Sequence, residues 1–157
     1  MSPGLRLHTR RAVRGRAAQL WSDTPIVRAS YWPLMPERRY DLEDRLMRFG
    51  AAVCRLTGHF PPTAVAKHLA LQIVRSSTSP FANYGEVQGA ESRRDFIHKL
   101  GICVKERRET RAWLKFASEM DLCPADAIAN AARECDELLA ILASSIKTAR
   151  RNGRNPM

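Results

Sequence analysis

Acidic residues and a histidine stand close together between Glu86 and His98, at a spacing that could support acid–base or metal chemistry. Glu86, Glu91 and Asp95 could act as paired carboxylates, in which one group donates a proton and another accepts one. Asp95 and His98 have the three-residue spacing of the Glu-x-x-His motif, which helical bundles that bind two metal ions carry in two copies. This chain carries one such spacing and no second copy.

Neighbouring bases favour ion pairing over catalysis for these acids, because oppositely charged residues three or four positions apart meet on a helix surface. The bases in question are Arg75, Arg93, Arg94 and Lys99. Neither His59 nor His68 has a metal-ligand partner four residues away, and the glycines form no phosphate-binding loop. The sequence therefore predicts a protein that is not an enzyme, with no metal site and no cofactor.

A stripe of basic residues on the third predicted helix is the candidate nucleic-acid-binding surface. At 100° per residue, six bases fall within about 60° of the direction of Arg108. They are Arg93, Arg94, Lys105, Arg108, Arg111 and Lys115. Such a stripe could follow a phosphate backbone, and binding would weaken steeply with salt. The alternative is that nearby acids, such as Glu106 and Glu109, neutralise these bases.

The net charge of +10 predicts an anionic partner, either nucleic acid or an acidic protein. Most of this charge lies outside the periodic part of the chain. Residues 1–36 hold six arginines against Asp23, whereas residues 41–150 hold 16 basic and 14 acidic residues.

Apolar residues at three- and four-residue spacing predict four helices and no strand. The first begins after Asp41, and the second is capped by Thr63 and has a kink or short break near Pro80. The third runs to about Met120, and the fourth follows Pro124. The predicted fold is all-α, an antiparallel up-and-down four-helix bundle.

Three regions follow from this pattern: a basic, flexible extension over 1–36, the bundle domain over 37–151, and a basic tail over 152–157. The extension has three interpretations: an arm that binds phosphates, a mitochondrial-type presequence, or a segment upstream of a true start at Met35. The four cysteines are far apart, and no apolar run reaches the length of a membrane span. We therefore expect a reduced, cytoplasmic protein.

Several blocks resemble one protein family. ANYGE at 82–86, AESRRDFIHKL at 90–100 and KERRETRAWL at 105–114 are similar to the signature of four-helix-bundle proteins encoded in intervening sequences of bacterial 23S rRNA genes. The blocks YDLEDRL at 40–46, LALQIVRSSTS at 69–79 and ECDELLAILASSIKTAR at 134–150 agree with it. The resemblance covers about residues 40–151; it departs at Pro80, and residues 1–36 have no counterpart.

The resemblance implies a small cytoplasmic bundle that assembles into ring-like homopentamers. One branch of the family is similar to accessory proteins of diversity-generating retroelements, which bind a reverse transcriptase and its template RNA through a basic surface. Two functions remain open: a non-enzymatic oligomeric module that binds RNA or a nucleoprotein, and a structural or protein-interaction scaffold without nucleic-acid affinity of its own.

Overall fold

The computed structural model describes residues 42–152, which form four α-helices. They are α1 (Leu42–Thr57), α2 (Ala64–Gln88), α3 (Arg93–Glu119) and α4 (Ala125–Arg151). Each helix packs against the next, and α1 also packs against α4, so the bundle closes. The predicted four-helix bundle is confirmed. The predicted cap Asp41, the extension over 1–36 and most of the basic tail lie outside the described residues.

Hydroxyl groups cap the starts of α2, as predicted for Thr63, and of α3, where the cap is Ser92. The hydroxyl of Thr63 accepts a hydrogen bond from the backbone N–H of Ala66 at 3.2 Å, and that of Ser92 accepts one from Asp95 at 3.1 Å. Each bond satisfies a backbone donor that has no partner within the helix. Pro124 stands directly before α4. These starts, together with connections of four to six residues, make successive helices antiparallel.

Pro80 lies inside α2, which continues past it as a single helix, so the predicted irregularity is not a break between two helices. The side chain is buried, and the Cys103 thiol donates to the Pro80 carbonyl at 3.6 Å. Packing against α3 therefore offsets the cost of proline, about 3 kcal/mol in a helix interior. Just upstream, Ser77 and Thr78 donate to the carbonyl of Val74. Bonds of this type often bend helices, and a kink stays a prediction.

Gly50 permits a close approach between α1 and α2. A Cβ at this position would lie 3.3 Å from the carbonyl oxygen of Ser77 and 3.6 Å from the Cα of Thr78. A larger residue would push these two backbones apart, because the nearest atoms belong to the main chain and cannot rotate away. The glycine therefore sets the spacing of the two helices.

The core consists of the residues that the periodicity marked. Leu46, Phe49, Val53 and Leu56 of α1 are buried against Cys135 and Leu138 of α4 and their neighbours. All four cysteines are free thiols. Burial raises the pKa of the Cys103 and Cys135 thiols to about 11 and that of Cys123 to about 12. These three thiols therefore stay protonated at neutral pH and pack as small apolar groups.

Arg107 is the exception in this core, because its side chain is 0% exposed. The guanidinium lies over the Phe49 ring, 4.0 Å from the centroid. Among the described residues, none of its three side-chain nitrogens has a hydrogen-bond partner. Burial lowers the pKa of Arg107 to about 10, which means that the charged form is disfavoured in the folded state. This cost is fully present below about pH 10 and is relieved only as the pH rises above that value.

We predict that Arg107→Met stabilises the protein by about 1–3 kcal/mol, because methionine fills a similar volume without burying a charge or unpaired donors. Arg107→Ala should instead destabilise by about 2–4 kcal/mol, since it leaves a cavity. Urea unfolding followed by circular dichroism measures both. A marked loss of stability in Arg107→Met would show that the guanidinium has compensating partners.

A second buried charge, Glu134 of α4, is paired with Arg45 of α1. Arg45 Nε donates to Glu134 Oε1 at 2.6 Å, and Nη2 donates to Oε2 at 2.8 Å. Arg45 also pairs with Glu137. The two parallel bonds fix both distance and orientation, as is typical of arginine and carboxylate. This pair therefore closes the bundle between its first and last helices.

We predict that Arg45→Met destabilises the fold by about 2–4 kcal/mol, because it leaves the Glu134 carboxylate buried without its partner. Arg48→Met is the matched control on the same helix. Arg48 pairs with Asp44 at 3.3 Å, with both side chains about half exposed. Its loss should cost less than about 1 kcal/mol. Equal effects of the two substitutions in urea unfolding would contradict the prediction.

Candidate nucleic-acid interface

The basic stripe lies on α3, whose opposite side faces the core. Leu100, Cys103 and Leu114 are fully buried there. Of the six predicted residues, five are exposed and one is partly buried. The exposed residues are Arg93, Arg94, Lys105, Arg108 and Lys115, and the partly buried one is Arg111. The predicted orientation of the stripe toward solvent therefore holds for five positions.

Arg111 lies at the edge of the stripe, against α4. Its Nε donates to Asp136 Oδ1 at 2.8 Å. This ion pair crosses from α3 to α4 and neutralises much of the charge that Arg111 would offer to a phosphate. Arg111 is therefore a weaker candidate for binding than its neighbours on α3.

The acids expected to neutralise the stripe lie on its other edge and face α2. Glu106 and Glu109 both pair with Arg75 of α2, Glu106 at 3.7 Å. The indole N–H of Trp113 donates to Glu109 Oε1 at 3.2 Å. The bond from Trp113, followed by the pairing with Arg75, holds the pKa of Glu109 below its ordinary value. These carboxylates therefore serve the α2–α3 contact.

Between the two edges, Lys105 and Arg108 are left without a countercharge. Within residues 42–152, neither residue takes part in an ion pair, and the same holds for Lys115. Phe116, 48% exposed, lies two turns beyond Arg108 and about 80° around α3 from it. The outer face of α3 thus combines unpaired cations with an exposed aromatic ring. We call Lys105, Arg108 and Lys115 the α3 outer face.

Of the acids between Glu86 and His98, Asp95 is engaged by its neighbours along the chain. Asp95 pairs with Lys99 at 3.1 Å and accepts a hydrogen bond from the backbone N–H of Glu91. The bond from Lys99 is the main cause that lowers the pKa of the Asp95 carboxyl. The carboxylate of Asp95 is therefore used in local contacts at the start of α3. No group of His, Cys, Asp or Glu in the described part of the chain could hold a metal ion.

The burial of Arg107 was not predicted from the sequence, although a signal for it is present there. Arg107 stands seven residues after Leu100 and seven before Leu114, which places all three on one side of α3. Leu100 and Leu114 are both fully buried. The heptad position thus indicated the core, whereas the charge of the side chain indicated the surface.

The four described helices include none that is long and apolar enough to cross a membrane. No curated protein matches the chain.

Comparisons with known families and structures agree with the bundle. The model of the family described as "23S rRNA-intervening sequence protein" matches residues 38–144. A crystal structure from Bacteroides thetaiotaomicron, described as a protein of unknown function from the S23 ribosomal protein family, is similar with a TM-score of 0.61 and 30% sequence identity. The similarity covers 68% of this chain and 98% of that one. The family match extends over most of the chain, so this protein belongs to the 23S rRNA-intervening sequence protein family.

Proposed function

We propose that the protein is a non-enzymatic RNA-binding module that contacts the phosphate backbone through the α3 outer face. The observation that carries the proposal is that Lys105 and Arg108 are exposed and have no ion pair within residues 42–152. A cation without a countercharge can release the counterions of a phosphate without first giving up a protein contact.

The surroundings of these cations support a nucleic acid as the partner. Arg75 pairs with Glu109 on one edge of α3, and Asp136 pairs with Arg111 on the other. The outer face between these pairs therefore keeps its positive charge. Phe116 offers a ring on which a base could stack, and stacking tolerates any base. The resemblance to accessory proteins of retroelements, which bind a template RNA, favours RNA over DNA. We further propose that the protein acts in the cytoplasm as a homo-oligomer, a pentamer by family resemblance.

We predict that Lys105→Gln combined with Arg108→Gln weakens binding of the full chain to a single-stranded RNA oligonucleotide. Removing two phosphate contacts should reduce the slope of log K against log salt by about 1.4, since each contact contributes about 0.7. Fluorescence anisotropy over a range of salt concentrations measures the slope.

The matched control is Arg55→Gln with Lys67→Gln, which removes the same charge from exposed positions on α1 and α2. This control should retain the wild-type slope. A wild-type protein without RNA affinity at physiological salt, or equal slopes in all three proteins, would contradict the proposed function.

The alternative is a structural or protein-interaction scaffold, and the outer side of α2 favours it. Leu71 is 69% exposed, and Phe81 is also exposed ten residues further along. Residues 76–85 carry no charge, whereas Leu71 lies between the exposed bases Lys67 and Arg75. Leu71 and Phe81 are exposed apolar side chains of α2 that could bury against another subunit. In such a scaffold, for example a partner of a reverse transcriptase, the bases would serve protein contacts.

If α2 forms a subunit contact, Leu71→Glu should convert an oligomer to smaller species, because it places a charge in an apolar interface. Multi-angle light scattering measures the mass. Val65→Glu is the control, since Val65 is 50% exposed and lies about 120° away around the same helix. An unchanged mass in Leu71→Glu would exclude this side of α2 as the contact.

A further inference from the structure

One end of the bundle holds both points at which the chain enters and leaves the described region. The side-chain amide of Gln88, the last residue of α2, donates to Glu43 in the first turn of α1 at 2.9 Å. The four-residue connection 89–92 brings the start of α3 to the same end. Because α4 is antiparallel to α3, the end of α4 also lies there. We call this the terminal end.

The register between α3 and α4 fixes which residues meet at the terminal end. From the Arg111–Asp136 ion pair, Arg94 is seventeen residues back along α3 and Arg150 is fourteen residues forward along α4. At 1.5 Å per residue, these steps lead about 25 Å and about 21 Å in the same direction. Phe96 and Ile146 pack against one apolar cluster, which agrees with this register. The two helix ends therefore lie at nearly the same height.

Five exposed cations lie at this end of the bundle. They are Arg93, Arg94, Lys147, Arg150 and Arg151, which we call the terminal cluster. None of the five takes part in an ion pair within residues 42–152. Of the acids at this end, Asp95 pairs with Lys99 and Glu43 accepts from Gln88, whereas Glu86 and Glu91 are exposed and take part in no ion pair within residues 42–152. The terminal cluster holds five unpaired cations, against three on the α3 outer face.

Helix electrostatics explain only part of this cluster. Arg150 and Arg151 stand in the last turn of α4, where the helix dipole favours cations. Arg93 and Arg94 are the first two residues of α3, where the dipole disfavours cations. The stability of the helix therefore gives no reason for these two arginines, whereas binding of an external anion would give one.

The basic segments outside the described residues join the bundle at the same place. The chain reaches α1 at Leu42 from a segment that holds six arginines in residues 1–36, and it leaves α4 at Arg151 toward Arg154. The opposite end carries the exposed acids Glu119 and Asp126 and the exposed bases Arg55 and Lys67. Both basic segments of the sequence are therefore connected to the bundle at the end that carries the terminal cluster.

We propose that the terminal cluster is the main phosphate-binding surface for RNA, and that the α3 outer face continues it along the helix. From Arg94 to Lys105 is eleven residues, or about 16 Å, so one strand of backbone could contact both groups. This inference rests on the proposed RNA binding and states where on the bundle the RNA binds. A cluster of unpaired cations also attracts an approaching polyanion before contact.

The experiment compares full-length proteins in the same RNA anisotropy assay. Arg150→Gln with Arg151→Gln should reduce the salt slope by about 1.4 and weaken binding about twentyfold at 0.1 M salt. Arg93→Gln with Arg94→Gln should weaken binding similarly without lowering the melting temperature, because it removes cations from the positive end of a dipole. Arg55→Gln with Lys67→Gln serves as the control of equal charge.

This inference would be overturned if both terminal-cluster variants kept the wild-type slope while Lys105→Gln with Arg108→Gln lost affinity. The proposed function would then remain intact. Equal losses in the control would also overturn it, because net charge alone would then explain binding. If the wild-type protein binds polyglutamate and not RNA, an acidic protein is the partner and both proposals fail.

Discussion

The packing of α3 between α2 and α4 decides which of its charged residues remain available to a partner. Each edge of α3 is occupied by an ion pair to the adjacent helix: Arg75 with Glu109 on one side, and Arg111 with Asp136 on the other. Glu106 and Glu109 of α3 are used on the α2 edge, so they do not neutralise the bases that face outward. A positive outer surface is thus a consequence of how the bundle is held together.

The centre of the bundle contains charge as well as apolar residues. Glu134 receives two hydrogen bonds from Arg45, whereas Arg107 lies over Phe49 with unpaired nitrogens. The cost of removing the Glu134 carboxylate from water is offset by its two hydrogen bonds to Arg45. The cost of burying the Arg107 guanidinium is offset only in part by its contact with the Phe49 ring. The fold accepts this cost because the surrounding leucines and cysteines bury enough apolar surface to outweigh it.

Phosphate recognition by such a bundle needs no pocket and no catalytic group. Exposed lysine and arginine side chains keep their hydration and mobility, and their energy of binding comes largely from released counterions. Their position on rigid helices fixes the spacing of the contacts. A scaffold would instead use exposed apolar residues such as Leu71, where the gain comes from removing hydrocarbon from water. The two functions therefore depend on different faces of the same bundle.

The sequence by itself determined the helices, their caps and most of the core, because Thr63, Ser92 and the apolar repeat act over three or four residues. It also carried the family resemblance, which the match over 38–144 confirms. Only the tertiary structure decided which bases are paired, since Arg75 and Glu109 are 34 residues apart and meet through helix register. It likewise decided that Arg107 is buried and that Arg94 and Arg150 share one end, because both facts depend on how antiparallel helices align.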